Sequence, residues 1–119
     1  MKTSQDPRHK KRQRLIQELF SIEFHDQPLS HEAQKIWKHK DLLDTKIQEA
    51  APDFPVTKIN RVDLAILRLT AFELLVEKQT PPNVIIDEGV ELAKEFANET
   101  SPAFINGVLA HLLSYEKLT

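Results

Sequence analysis

The stretch "DPRHKKRQRLIQELF", residues 6–20, joins a run of cations to an apolar helical stripe. Asp6 followed by Pro7 predicts an N-cap and first helical residue, since the carboxylate can accept from free amides and proline has no amide hydrogen to leave unpaired. Arg8, Lys10, Lys11 and Arg12 then occupy the opening turns. The helix dipole is positive there, and each cation is disfavoured by a few tenths of a kcal/mol, up to roughly 1. Something else must favour them, and a polyanion is the natural partner. Residues 1–14 hold six cations (Lys2, Arg8, Lys10, Lys11, Arg12, Arg14) and one anion, Asp6, which leaves ten cations against seventeen anions in the rest of the chain. A segment of +5 ahead of a remainder of −7 points to a local nucleic-acid patch, hidden in a whole-chain charge of −2.

Elsewhere the residues offer little chemistry. The five histidines, His9, His25, His31, His39 and His111, lack metal-ligand spacing. Asp87, Glu88 and Glu91 of "DEGVE" are acids in the first turns of an expected helix, where they suit its dipole. With no glycine-rich phosphate loop, nucleophile elbow or cysteine, the chain reads as a non-enzyme with no catalytic residue, metal or cofactor. Two features need a reason. Asn106 and Gly107 of "INGVL" are poor helix formers inside a helix, favouring a close helix crossing over ligand contact. Arg68 lies in the apolar stripe "AILRLTAFEL" and, if buried, needs a carboxylate such as Glu73 or Glu88.

The elements that would position these residues are helical. A length of 119 residues suits one domain with one core. Two glycines, abundant Leu, Glu, Lys and Gln, and no sustained alternation give an all-α class. The absence of cysteine agrees with a reducing compartment, and neither a signal peptide nor an apolar run of membrane-spanning length is visible, so the chain reads as soluble and cytoplasmic. A first helix is expected over 7–25, and a more polar one from Ser30 through Ile36 and Trp37 toward Ile47. "APDFP" breaks the pattern. The segment 58–78 is the strongest helix, with Val62, Ala65, Ile66, Leu69, Phe72 and Val76 on one stripe. Thr80–Pro81 and Ser101–Pro102 each read as an N-cap and first helical residue for the last two helices.

"RVDLAILRLTAFELL", then "PPNVIIDEGVELAKEFANETSPAFINGVL", resembles the NusB family of transcription antitermination factors, and "RHKKRQRLIQELF" resembles that family's arginine-rich first helix. The resemblance covers about 7–24 and 59–109. It implies one RNA-binding domain over 1–119, built as two small packed helical bundles and shortened over about 25–57. It also implies pairing with NusE, a small-subunit ribosomal protein, to bind boxA, a single-stranded element of nascent transcripts, alongside NusA, NusG and RNA polymerase. Carried over residue by residue, the RNA contacts fall on Arg8, His9, Lys10 and Arg12, with Lys11 an added cation. Phe20 stands where relatives have Tyr, and Ser101, Phe104 and Asn106 fit the region completing the RNA surface, Phe104 being either a stacking ring or a core aromatic. Phe72 and Glu73 fall on the expected NusE side. Ala103 and Ala110 replace a Lys and an Asp common in relatives. Two further readings share the resemblance: a protein-interaction or ribosome-assembly module with weak, non-specific RNA binding, and the NusB-like module of certain RNA cytosine methyltransferases, whose catalytic domain this chain lacks.

Overall fold

Why the chain turns where it does is largely a matter of caps. In the computed structural model, which describes residues 6–118, the helices are α1 (Pro7–Ser21), α2 (His31–Lys38), α3 (Lys40–Ala50), α4 (Arg61–Phe72), α5 (Pro82–Phe96) and α6 (Ser101–Leu118). A 3-10 turn, Val56–Lys58, precedes α4, and a π-helical turn, Glu73–Glu77, prolongs it. Lys2, the first cation of the basic segment, lies outside the described residues. Asp6 caps α1 by accepting from the Arg8 amide at 2.9 Å, Ser30 caps α2 through Ala33, and Asn60 caps α4 through Val62 at 2.8 Å. The two Pro-led starts fall one residue from expectation. Pro81, not Thr80, is the N-cap of α5, with Pro82 in its first turn. Ahead of α6, Asn98 accepts from the Thr100 amide and from both the Thr100 and Ser101 hydroxyls.

α4 is the axis of the molecule. The expected single stripe is in fact burial on all sides, for every residue from Asp63 to Phe72 is buried. α1, α2, α3, α5 and α6 all pack against it, while α1 also meets α2, α3 meets α6, and α5 lies along α6. The expected helix over 7–25 stops at Ser21, and the stretch from Ser30 splits at His39 into α2 and α3. α4 does not run regularly to Lys78: the amide of Lys78 bonds back five residues to the Glu73 carbonyl at 3.0 Å, and Lys78 adopts φ 56°, the left-handed conformation that ends the turn.

Two expectations about polar and small residues change. Arg68 is buried, but its partners are Asp44 of α3, at 2.8 Å through both Nε and Nη2, and Glu23, not Glu73 or Glu88. Its guanidinium also lies 5.3 Å from the Trp37 ring centroid. The close approach predicted at Asn106–Gly107 occurs instead at Gly89, where a Cβ would lie 3.0 Å from Leu109 Cδ1 and 3.2 Å from Ile105 Cγ2; at Gly107 it would meet nothing within 4 Å. No helix among the described residues is long and apolar enough to cross a membrane.

Candidate nucleic-acid interface

The opening turns of α1 face two ways. Arg8, Lys10 and Lys11 are exposed, with Arg8 held near Asp6 through Nη2 at 3.3 Å. The bonds from Arg8 hold the Asp6 carboxyl below its usual range. His9 and Arg12, expected to face RNA, are turned inward at 4% and 8% exposure. Their positions relative to the apolar stripe explain this: both lie on the side of α1 that also carries the buried Ile16 and Leu19. His9 Nδ1 is 2.9 Å from Glu88 Oε2 and Nε2 is 2.8 Å from Glu95 Oε1. Arg12 donates to both oxygens of Glu73, through Nε at 2.9 Å and Nη2 at 2.6 Å, and its Nη1 lies 3.8 Å from Glu88.

The same geometry relocates the expected partner contacts. Phe72 and Glu73 are buried, Phe72 against the His39 ring at 5.6 Å and Glu73 against Arg12, so both serve the interior. Ser101 is also buried, its hydroxyl donating to Asn98 Oδ1 at 3.0 Å. Asn106 is exposed and lines an open groove of about 840 Å³ in which Asp6, Asp87 and Glu91 stand with Arg8 and Lys94. Sequence positions nearly a hundred residues apart thus share one surface. Phe104 is half-buried and meets Phe54 edge to face at 5.0 Å between centroids, in a shallow cleft of about 240 Å³ that Ala103 and Gly107 also line. Phe20 is half-buried and tilted against Phe24 at 5.0 Å.

Acids from neighbouring elements temper the exposed cations. Glu32, in the first turn of α2, lies 3.9 Å from Lys11 Nζ and 3.7 Å from Arg14 Nη2. Its carboxyl is held below the usual range by a backbone hydrogen bond and by these two cations. Glu18 accepts from Arg14 at 3.2 Å and from the Ser30 amide at 2.7 Å, which ties α1 to the start of α2. Sequence reading missed these acids, and missed Glu88 and Glu95 as partners of His9. The only signal available was their placement on helices whose register against α1 no local pattern supplies. Among the described residues, no group of His, Asp and Glu could hold a metal ion. His9, Glu88 and Glu95 do not form one, because the carboxylates engage opposite nitrogens of the ring.

Residues 3–114 match the sequence model of the NusB family. A protein of Chloroflexus aggregans called transcription antitermination protein NusB is 41% identical over 99 residues, covering 75% of this chain and 66% of that protein. A Roseiflexus castenholzii protein of the same name is 48% identical over 80 residues, 66% of this chain and 56% of the relative. The chain thus aligns with between about half and two thirds of the length of these curated relatives. The solved structure of T. maritima NusB superimposes with a TM-score of 0.77 at 29% identity, covering 99% of both chains. Among the described residues, five α-helices packed around a buried α4, with a basic α1, join these likenesses in sequence and structure to lead to one assignment: the chain belongs to the NusB family.

Proposed function

We propose that this protein is a cytoplasmic RNA-binding adaptor of transcription antitermination, which pairs with NusE and holds boxA-like single-stranded RNA of nascent ribosomal transcripts within a larger assembly of NusA, NusG and RNA polymerase. It performs no chemical step and needs no cofactor. The observation that carries the reading is the exposure of Arg8, Lys10 and Lys11 at the positive end of α1, beside the groove that reaches Asn106. Phosphates would lie along the cations, where the positive end of the helix dipole adds to the attraction. Unpaired bases are read by stacking and edge hydrogen bonds, roles we assign to Phe104 and Asn106. Phe20 offers a ring without the hydroxyl of its relatives. His9, Arg12 and Ser101 support this surface from within, and Phe72 and Glu73 support the side where NusE would dock.

Fluorescence anisotropy with boxA-like and scrambled RNA, with and without NusE, tests the reading. Preference for boxA that grows with NusE, and is lost in an Arg8→Ala, Lys10→Ala, Lys11→Ala variant, is the expected result. Weak and equal binding to both RNAs refutes it and favours the second reading, a protein-interaction or ribosome-assembly module. The pairing of Glu32 with Lys11 and Arg14, together with Ala103 in place of a common Lys, is what supports that second reading.

A further inference from the structure

The basic helix is fastened by a histidine whose surroundings ask for two protons. His9 is 4% exposed, and each of its ring nitrogens meets a carboxylate: Nδ1 meets Glu88 at 2.9 Å, and Nε2 meets Glu95 at 2.8 and 3.0 Å. A carboxylate can only accept, and a neutral imidazole carries one N–H. A neutral His9 would therefore set a ring lone pair against carboxylate oxygen in one of these contacts. We propose that His9 is a positioning residue for RNA binding: as an imidazolium it clamps the start of α1 to α5, and so holds Arg8, Lys10 and Lys11 in the orientation that RNA requires. This rests on the RNA-binding reading given above.

The charges around the ring support the assignment from every side. From α1 come Arg12, and Gln13, whose amide donates to both Glu95 oxygens at 3.3 and 3.4 Å. α5 contributes Glu88 and Glu95, and the π-helical turn brings Glu73, with Glu77 acting on Arg12 at longer range. With His9 charged, His9 and Arg12 face Glu73, Glu88 and Glu95. Once it is neutral, Glu73 and Glu88 keep Arg12 and Glu95 keeps Gln13, but the cluster holds one positive charge fewer. Burial works to lower the affinity of the ring for its proton, and the bonds to Glu88 and Glu95 outweigh burial, so the imidazole titrates above its ordinary value. A raised value means that the clamp is complete below the ordinary histidine range and is lost as pH rises through the folded-state value. RNA phosphodiesters do not titrate in that window, and the His9→Gln profile subtracts any other group that does.

The test is RNA anisotropy at constant ionic strength from about pH 6 to about pH 9, at a temperature where circular dichroism shows the chain folded throughout. Wild type is expected to lose affinity several-fold as pH rises. His9→Gln, which cannot carry the charge, is expected to bind several-fold more weakly at low pH and to show a flat profile. Glu95→Gln removes the demand for the second proton while leaving Glu88 in place, and is expected to flatten the profile. Ring nitrogen shifts of His9, followed by NMR in the same range, report its protonation without RNA. A flat wild-type profile, or an equal slope in His9→Gln, overturns the positioning role even if melting temperature still varies with pH. Absence of RNA binding at every pH refutes the RNA-binding reading and the positioning role with it, and the ring shifts then separately establish whether the imidazolium exists.

Discussion

Replacing Arg8 and Lys10 by alanine is expected to flatten the salt dependence of RNA binding, whereas replacing Arg12 is expected to leave that dependence alone and unfold the protein more easily. Counterion release gives a slope of about −0.7 per phosphate contact for a single strand. Three exposed cations, Arg8, Lys10 and Lys11, therefore predict about −2 in total, falling to about −0.7 in the double variant. Had Arg12 also touched phosphate, the wild-type slope would approach about −3. Its side chain is instead 10% exposed and spans both oxygens of Glu73. Arg12→Ala leaves the Glu73 and Glu88 carboxylates buried with one partner fewer, a loss of roughly 3–5 kcal/mol and of roughly 10–20 °C in Tm for a domain of this size. Anisotropy titrations at several KCl concentrations between roughly 50 and 300 mM give the slopes, and thermal unfolding followed by circular dichroism gives the stability. An unchanged slope in the double variant would show that these cations are merely solvated. A slope that falls by about 0.7 in Arg12→Ala, with little change in Tm, would refute the inward assignment of Arg12.

The two glycines are expected to respond oppositely. Gly89→Ala forces a Cβ to within 3.0 Å of Leu109 and 3.3 Å of Thr70, an overpacking loss of about 1–3 kcal/mol that exceeds the gain in helix propensity. Gly107→Ala meets nothing within 4 Å and is expected to stabilise by about 0.5–1 kcal/mol; urea unfolding measures both, and the reverse order would refute the packing described for α5 on α6. Asp63 is buried with Oδ1 lacking a hydrogen-bond partner, and burial raises its carboxyl above the ordinary value. Its penalty is absent below the unfolded value of 3.8, develops as pH rises through the folded value, and persists at neutral pH. Asp63→Asn is therefore expected to melt higher than wild type at neutral pH, with the difference shrinking below about pH 4; a wild-type advantage at neutral pH would show that the carboxylate is satisfied.

The helices were legible in the sequence wherever local chemistry sets them. Asp6–Pro7 and Ser30 mark true starts, and Leu15, Ile16, Leu19, Ile105, Leu109 and Leu112 are buried as their spacing implies. What local pattern could not supply is which helix becomes central. An axis buried all round is flanked by every other helix, so its apolar content exceeds any single stripe, and α4 looked like an unusually strong surface helix for that reason. The tight glycine was misplaced on similar grounds. Gly89 and Gly107 are equally anomalous along the chain, and only the crossing of α5 over α6 distinguishes them. Arg68 is buried and does have the carboxylate that burial demands, but its partners, Glu23 and Asp44 in place of Glu73 or Glu88, come from segments whose approach depends on the tertiary fold.

The candidate site shows the same division. Cations at a helix start do need an external reason, yet the structure supplies two. For His9 and Arg12 the reason is internal: Glu73, Glu88 and Glu95, brought by α5 and the π-helical turn, offset both the dipole and desolvation. For Arg8, Lys10 and Lys11, which remain exposed, the argument for a polyanion stands on its original ground. The alternation is itself informative. On a helix, positions 9 and 12 share a face that 8 and 11 flank, so one turn can carry both an inward clamp and an outward cationic ridge. A perturbation of the clamp should therefore reach the ridge without touching it, reducing affinity by changing where the cations point and so how many of them meet phosphate. A flat pH profile in His9→Gln, against a pH dependence retained in the Arg8 and Lys10 variant, separates the two roles within a single turn of α1.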